Sequence, residues 1–196
     1  MGELFICDSY GMARDLKDVK LIWDVGANIG CFSLWATRVF PKARIESFEP
    51  CEETFLILQE NRNGNGAGIW NVYQHGFSNK DETAIAHVPR GMFGETSRFS
   101  TEGEKVILPL RDISRYWLEQ GKPVIDLLKV DCEGCEHDIF SDASAEFLSA
   151  VQAIIMEVHP VPGRSARRIF QRLTENNFKV EQGQPDEEQQ VVFVRK

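Results

Sequence analysis

The sequence predicts an α/β fold in which a mostly parallel sheet carries helices on both faces. Strand-like and helix-like segments alternate along the 196 residues, and no internal repeat, low-complexity tract or linker interrupts them. Repeated strand–helix–strand units build parallel sheets, because two parallel neighbours need a crossover connection. The hydrophobic fraction of 42% is enough for one sizeable core, and the length suits a single ordinary domain.

Two strand–helix units are predicted in the first third of the chain. Residues 21–25 form a nearly continuous apolar run that is typical of a buried strand. Apolar residues at helical spacing follow over 29–40, and Pro41 ends that helix. A second strand is predicted at 44–48. The next helix begins at Pro50, runs to about Arg62, and is closed by an Asn-Gly-Asn-Gly turn.

The remaining elements are less evenly spaced. A third strand is predicted over 69–75, and two short strands over 83–88 and 105–108, with a helix near 112–119. The C-terminal part continues the alternation. A strand is predicted over 124–130, a helix from about 136, a strand over 151–158 and a helix over 165–176. Residues 178–181 and 191–194 are predicted to form a closing hairpin.

The first strand is followed by a glycine-rich turn, Asp24-Val25-Gly26-Ala27-Asn28-Ile29-Gly30. In open parallel sheets, ligands bind outside the carboxyl ends of the strands, so this turn is a candidate ligand site. Gly26 and Gly30 allow close approach of the backbone, and Asn28 tolerates a positive φ. The glycine spacing differs from the usual dinucleotide fingerprint, which argues against a nicotinamide cofactor.

Acidic residues end two further predicted strands. Glu49 lies 23 residues after Gly26, a separation at which a carboxylate commonly accepts hydrogen bonds from ribose hydroxyls. Asp131 and Glu133 follow the fourth core strand. Together these acids and the glycine turn favour a nucleoside-binding site at one edge of the sheet.

Charge and cysteine content exclude several classes of protein. Lys and Arg total 22 against 30 Asp and Glu, a net charge of −8, which argues against a protein held by nucleic acid phosphates. No apolar run approaches the roughly 20 residues that cross a bilayer, and no secretory signal is evident, so we expect a cytoplasmic protein without membrane association. The five scattered cysteines argue against a disulfide framework, and one C-x-x-C pair lacks the second pair that structural zinc needs.

Four motifs together resemble the FkbM family of S-adenosylmethionine-dependent methyltransferases, which act mostly on hydroxyl oxygens. They are the glycine turn, Phe48-Glu49-Pro50, the stretch from Leu128 to Glu136, and Glu157-Val158-His159-Pro160, in the family's order and spacing. The resemblance covers about residues 21–160. It implies the Rossmann-like class I methyltransferase fold, with a mostly parallel seven-stranded sheet and an antiparallel last strand.

The resemblance also implies roles for individual residues. Asp24, Gly26 and Gly30 are expected to line the methionine end of S-adenosylmethionine, and Glu49 to hold the ribose. The His75-Gly76-Phe77 turn is expected to face the adenine. Asp131 and Glu133 are expected near the sulfonium and the acceptor. Residues 21–196 form the methyltransferase domain, and residues 1–20, shorter than in the family, are expected to form a partial lid.

Methyl transfer to a hydroxyl needs a proton acceptor, and three residues are candidates for it. His159 titrates near neutrality, and Asp131 and Glu133 are the neighbouring acids. Asp131, Glu157 and His159 also offer an oxygen-rich set for Mg²⁺, which we do not favour because no third carboxylate is evident. His137, on the following helix, is expected at the surface.

Several functions remain open on the sequence alone. The favoured function is transfer of a methyl group to a hydroxyl of a small molecule, sugar or lipid. The alternatives are a nicotinamide-dependent oxidoreductase and a non-catalytic methyltransferase-like module that binds a partner. Neither the acceptor nor the oligomeric state can be read from these residues.

Overall fold

A seven-stranded sheet forms the centre of the molecule. The computed structural model describes residues 10–65, 68–88, 103–182 and 191–196. Within those ranges the strands are β1 (Leu21–Val25), β2 (Arg44–Phe48), β3 (Trp70–Tyr73), β4 (Gly76–Ser78), β5 (Glu82–Val88), β6 (Glu104–Asp112), β7 (Leu127–Val130), β8 (Ala153–Glu157), β9 (Lys179–Gln182) and β10 (Val191–Arg195). The helices are α1 (Cys31–Val39), α2 (Glu52–Asn65), α3 (Ile113–Glu119), α4 (Glu136–Asp142), α5 (Ala145–Ala150) and α6 (Ala166–Glu175).

The order of the strands in the main sheet is β3-β2-β1-β7-β8-β10-β9. The first five of these run parallel to one another, whereas β10 is antiparallel to both β8 and β9. This arrangement confirms the predicted mostly parallel sheet with an antiparallel last strand. From β1 the earlier strands extend to one side of the sheet and the later strands to the other. The strands β1 and β7 therefore lie side by side at a topological switch point.

Helices cover both faces of the sheet because side chains alternate along each strand. Trp23 and Val25 of β1 point into one apolar cluster together with residues of α3, α4, α5 and α6. Ile22 points into the opposite cluster with residues of α1 and α2. Both faces are therefore buried, which explains the nearly continuous apolar run of the first strand.

The predicted third strand, 69–75, is shorter in the structure, and a further strand in a separate sheet follows it. Residues 70–73 pair with β2 in the main sheet, whereas β4 pairs with β6 in a separate three-stranded sheet of order β4-β6-β5. Gly76 packs closely against β6, since a Cβ there would lie 2.9 Å from Leu110 Cδ2. Apolar alternation predicts that a segment is extended but not which strand it pairs with, so the second sheet was not anticipated.

The segment before β1 packs against α1. Tyr10 lies edge-on to Phe32 with ring centroids 4.9 Å apart, and Ala13 in the short 3₁₀ turn Gly11–Asp15 is fully buried. Residues 1–9 of the predicted partial lid lie outside the described residues. No helix in the described ranges combines the length and the apolar character needed to cross a bilayer.

A buried lysine ties the carboxyl ends of β1 and β7 together. Lys129 is 3% exposed and its Nζ donates to the Gly26 carbonyl oxygen at 2.6 Å. The same ammonium lies 3.2 Å from Asp24 Oδ1 and 3.6 Å from Asp131 Oδ2. Burial disfavours the ammonium, but the carboxylates of Asp24 and Asp131 prevail and raise the pKa of Lys129 above its usual range. The ion pair therefore stays charged inside the protein.

We expect Lys129→Met to destabilise the protein by about 3–5 kcal/mol, because it leaves the Asp24 carboxylate buried without its cation. Lys122→Met is the matched control, since Lys122 forms an exposed ion pair with Glu146 at 2.7 Å. That control should cost no more than about 1 kcal/mol. Urea unfolding followed by circular dichroism measures both. Equal losses in the two variants would contradict a structural role for the buried pair.

Candidate active site

A cleft lies at the carboxyl ends of the parallel strands, beside β1 and β7. It brings together eight of the residues that the sequence predicted for the site: Gly26, Asn28, Glu49, Gly76, Phe77, Asp131, Glu133 and His159. Other residues of the lining had no predicted role, among them Pro50, Leu108, Leu110, Cys132 and Cys135. Leu108 and Leu110 come from β6 of the second sheet and form one wall of the cleft. Local sequence pattern does not reveal the strand pairing that brings them there.

The glycine turn is shaped by contact with the end of β7. Gly26 has φ +72°, and a Cβ at this position would lie 1.8 Å from the Asp131 carbonyl oxygen. Asn28 has φ 51°, as its tolerance of positive φ allows. The backbone of this turn therefore closely approaches the neighbouring strand end, and only glycine fits at position 26.

Glu49 connects the turn to the end of β2. Its Oε2 accepts a hydrogen bond from the Asn28 backbone N–H at 2.9 Å, and its Oε1 accepts one from the Cys51 backbone N–H at 2.9 Å. Each carboxylate oxygen can accept a second bond, so both retain capacity for hydroxyl donors. Burial raises the pKa of Glu49 to about 7, although the two N–H donors oppose the shift.

Asp24 and Gly30 lie behind the cleft rather than in its lining. Asp24 is 0% exposed; its Oδ2 accepts a hydrogen bond from Ser33 Oγ at 2.6 Å and its Oδ1 faces Lys129. At Gly30, a Cβ would lie 2.7 Å from both Leu58 and Trp70. Both residues were predicted to face the ligand, but neither lines the cleft. Asp24 is held by Ser33 and Lys129, and Gly30 packs against Leu58 and Trp70, so both support the turn instead.

His75 is likewise separated from its neighbours Gly76 and Phe77, which line the cleft. Its ring packs among aromatic side chains, 5.1 Å from Tyr116 and 5.3 Å from Phe48 between ring centroids. Its Nε2 is buried and has no hydrogen-bond partner. Burial, reinforced by the positive charge of Arg111, lowers the pKa of His75 to about 4, so the ring is neutral at physiological pH.

Carboxylates surround His159 at the far side of the cleft. His159 Nε2 lies 3.6 Å from Glu133 Oε2, 3.8 Å from Glu157 Oε1 and 3.9 Å from Asp131 Oδ1. His159 Nδ1 lies 2.9 Å from Glu136 Oε1. Three chain segments supply these groups: the turn after β7, the start of α4, and the end of β8.

The proton affinities in this cluster follow from its charges. Burial lowers the pKa of His159, but the hydrogen bond and the charge of Glu136 outweigh it and raise the pKa to about 9. Burial raises the pKa of Glu133 to about 7, although the charge of His159 opposes the shift. Burial and the charge of Asp131 also raise the pKa of Glu157. At neutral pH the imidazole is therefore mostly cationic and is held among carboxylates.

The sequence predicted no role for Glu136 and placed His137 at the surface. In the structure Glu136 is 0% exposed. The prediction for His137 is wrong, because its ring is buried, with Nε2 2.9 Å from the His159 carbonyl oxygen. A signal was present for Glu136, because it shares a helical face with the buried Ile139 and Phe140 at spacings of three and four residues. No comparable signal exists for His137, whose burial depends on the segment after β8.

Asp131, Glu133 and His159 each offer one atom that could bind a metal ion, and these atoms lie within 4.8 Å of one another. The set of Mg²⁺ ligands considered from the sequence had Glu157 where this one has Glu133. The four described cysteines are free thiols. Burial raises the pKa of Cys132, and its Sγ donates to Glu136 Oε2 at 3.4 Å. A reactive thiol would need a lowered pKa instead.

Comparisons with known proteins find methyltransferases among the relatives of this chain. The sequence profile of the Methyltransferase FkbM domain matches residues 24–180. Methyltransferase sdnD of Sordaria araneosa is 29% identical over 188 residues, which cover 79% of this chain and 72% of that protein. The 31-O-demethyl-FK506 methyltransferase FkbM of Streptomyces tacrolimicus is 24% identical, covering 76% of this chain and 69% of that protein.

Solved structures of methyltransferases share the fold. Precorrin-6y C5,15-methyltransferase from Geobacter metallireducens GS-15 superposes with a TM-score of 0.58 at 13% identity, covering 98% of this chain and 88% of that one. TrmK of M. capricolum, solved with S-adenosyl-homocysteine, gives 0.56 at 8% identity, covering 96% and 67%. The predicted class I methyltransferase fold is confirmed. Since the family profile spans most of the sequence, the chain belongs to the FkbM family of methyltransferases.

Proposed function

We propose that this chain transfers the methyl group of S-adenosylmethionine to a hydroxyl oxygen of a small-molecule, sugar or lipid acceptor. The observation that carries the proposal is the single cleft in which Glu49 and the glycine turn face Asp131, Glu133 and His159. The names of the relatives support it, since one acts on 31-O-demethyl-FK506. S-Adenosyl-homocysteine in the structure of TrmK supports the choice of cofactor.

The residues of the cleft fit S-adenosylmethionine in their chemistry. Glu49 has lone pairs left for the hydroxyls of a ribose. Gly76 and Phe77 line the cleft together with Leu108 and Leu110, an apolar lining suited to an adenine. Asp131, Glu133 and Glu157 provide negative charge for a ligand that carries a sulfonium and an ammonium group. When bound, this cofactor supplies a methyl carbon that its sulfonium already activates.

The protein then has two tasks, alignment and proton removal. Holding the acceptor oxygen in line with the methyl carbon can supply roughly 7–11 kcal/mol. The acceptor hydroxyl loses its proton as the new O–C bond forms and the methyl–sulfur bond breaks, with the thioether as leaving group, and neutral His159 accepts that proton at Nε2. Asp131 and Glu133 stabilise the resulting imidazolium, which they face at 3.9 and 3.6 Å. A positioned base contributes roughly 10²–10⁴-fold to the rate.

Glu49→Gln should weaken binding of S-adenosylmethionine by about 10-fold or more, because its amide nitrogen cannot accept hydroxyl or backbone donors. In the parent, ionised Glu49 is the form that accepts hydroxyls, so binding lowers its pKa of about 7 and releases a proton. The affinity should therefore rise as the pH increases through about 7. Calorimetry across this range measures both effects.

Glu46→Gln is the control for this experiment. Glu46 is a buried acid of the same strand, but it pairs with Arg44 at 3.2 Å and does not line the cleft. Its variant should bind like the parent. If Glu49→Gln binds with unchanged affinity and unchanged pH dependence, the assignment of the ribose site is wrong. Binding of NAD in preference to S-adenosylmethionine would support an oxidoreductase, and binding of neither would support a non-catalytic module.

His159→Ala should lower kcat by roughly 10²–10⁴-fold and leave cofactor affinity almost unchanged. In the parent, kcat should rise with pH and level off above about 9, because only the neutral ring accepts a proton. A methyl-labelled cofactor and a panel of hydroxyl compounds provide the assay, and product analysis locates the label. His87→Ala, on β5 and outside the cleft lining, is the control.

Two results would count against this mechanism. A profile that levels off near pH 7 and is abolished by Glu133→Gln would identify Glu133 as the base, since its pKa is about 7. A label found on nitrogen or carbon would contradict transfer to oxygen.

We expect methyl transfer to proceed without a divalent metal ion. A metal would have to displace the proton of His159, whose pKa is raised to about 9, before it could bind at Nε2. Activity should survive dialysis against EDTA and should not increase when Mg²⁺ is restored. Loss of activity in EDTA and its recovery with Mg²⁺ would instead assign Asp131, Glu133 and His159 to a metal site.

A further inference from the structure

Glu136 lies directly behind His159 and holds both its backbone and its ring. A single oxygen, Oε1, accepts the His159 backbone N–H at 2.6 Å and faces Nδ1 at 2.9 Å. The second oxygen accepts the Gly134 backbone N–H at 2.9 Å and the Cys132 thiol at 3.4 Å. The carboxylate thus links the turn after β7 to the end of β8 across the start of α4.

These contacts determine which ring nitrogen faces the cleft. A carboxylate is only an acceptor, so Nδ1 carries its proton toward Glu136 in both the neutral and the cationic ring. Nε2 is then the nitrogen whose proton comes and goes, and it points toward Asp131, Glu133 and Glu157. Rotation of the ring by half a turn would break the hydrogen bond from Nδ1 to Glu136 and remove the cationic partner of that carboxylate.

We propose that Glu136 is a positioning residue for methyl transfer, which orients the His159 ring and keeps Nε2 available for the acceptor proton. The inference rests on the proposed function for the identity of the reaction. The geometry that supports it is independent of that function. A buried carboxylate costs free energy unless it is paired and hydrogen-bonded, and the His159 ring and backbone N–H supply both to Glu136.

The other charged groups around His159 do not duplicate this role. Asp131, Glu133 and Glu157 all face Nε2, at distances longer than a hydrogen bond. Lys129 acts on the ring only through Asp131, 3.6 Å from it. His137 contacts the His159 carbonyl oxygen and not the ring. Among the described residues, Glu136 is the acid that contacts Nδ1.

Glu136→Gln tests the proposal, with Asp138→Asn as the matched control. Asp138 is another acid of α4 and is 3% exposed, but it pairs with Arg164. Three quantities are measured in each variant: the pKa of His159 by NMR of its ring protons, the Kd for S-adenosylmethionine, and kcat and KM across the pH range.

In Glu136→Gln we expect the pKa of His159 to fall by at least about one unit, and the rise of kcat to move to lower pH by the same amount. The plateau of kcat should drop by at least about 10-fold. The upper limit is the whole contribution of the base, roughly 10²–10⁴-fold. Cofactor affinity and KM should change little. Asp138→Asn should leave the pKa of His159 and the pH profile unchanged.

An unchanged pKa and an unchanged pH profile in a folded Glu136→Gln would overturn the proposal. If that variant does not fold, titration of His159 in the parent decides instead. A pKa near 9 supports the contact with Glu136, and a pKa near the ordinary 6.5 overturns it. Failure of S-adenosylmethionine to bind would refute the proposed function alone, because the NMR titration needs no cofactor.

Discussion

The buried ion pair of Lys129 with Asp24 is the interaction on which the rest of the site depends. It connects the neighbouring parallel strands β1 and β7 near their carboxyl ends, where both strands leave the sheet. Its ammonium also donates to the Gly26 carbonyl oxygen, so the first glycine of the turn is anchored to β7. Two buried charges are costly unless each is paired and hydrogen-bonded, and here both are. The position of the turn relative to Asp131 is a consequence of this arrangement.

A chain of buried hydrogen bonds extends this anchor across the sheet. Trp70 Nε1 donates to Ser47 Oγ at 2.6 Å, Ser47 and Ser33 lie 2.6 Å apart, and Ser33 donates to Asp24 at 2.6 Å. Since Asp24 can only accept, the protons must all point the same way, from β3 through β2 and α1 to β1. Trp70, at the start of this chain of hydrogen bonds, also packs against Gly30 of the glycine turn, where a Cβ would lie 2.7 Å from its ring.

Among the described residues that line the cleft, the carboxylic acids Glu49, Asp131, Glu133 and Glu157 outnumber the one cation, His159. Glu133 and Glu157 both have raised pKa values, while His159 supplies the nearby cation. Such an arrangement favours a cationic ligand, because its charge would relieve the repulsion among the carboxylates. The attraction of Glu136, Glu133 and Asp131 for the imidazolium raises the pKa of His159, which makes it a stronger base. Binding and proton transfer thus have a common electrostatic origin in this cleft.

Local patterns in the sequence determined the strands, most of the helices and the residues at the strand ends, because alternation, helical spacing and glycine-rich turns are properties of short segments. They also located Gly26, Asn28, Glu49, Asp131 and His159, which follow strands directly and meet at one edge of the sheet. Only the tertiary structure decided that Asp24 and Gly30 support the turn from behind, that β6 forms a wall of the cleft, and that Glu136 faces His159. These outcomes depend on contacts between residues far apart in the chain, such as Glu136 with the end of β8. The spacing of residues along one segment carries no information about such contacts.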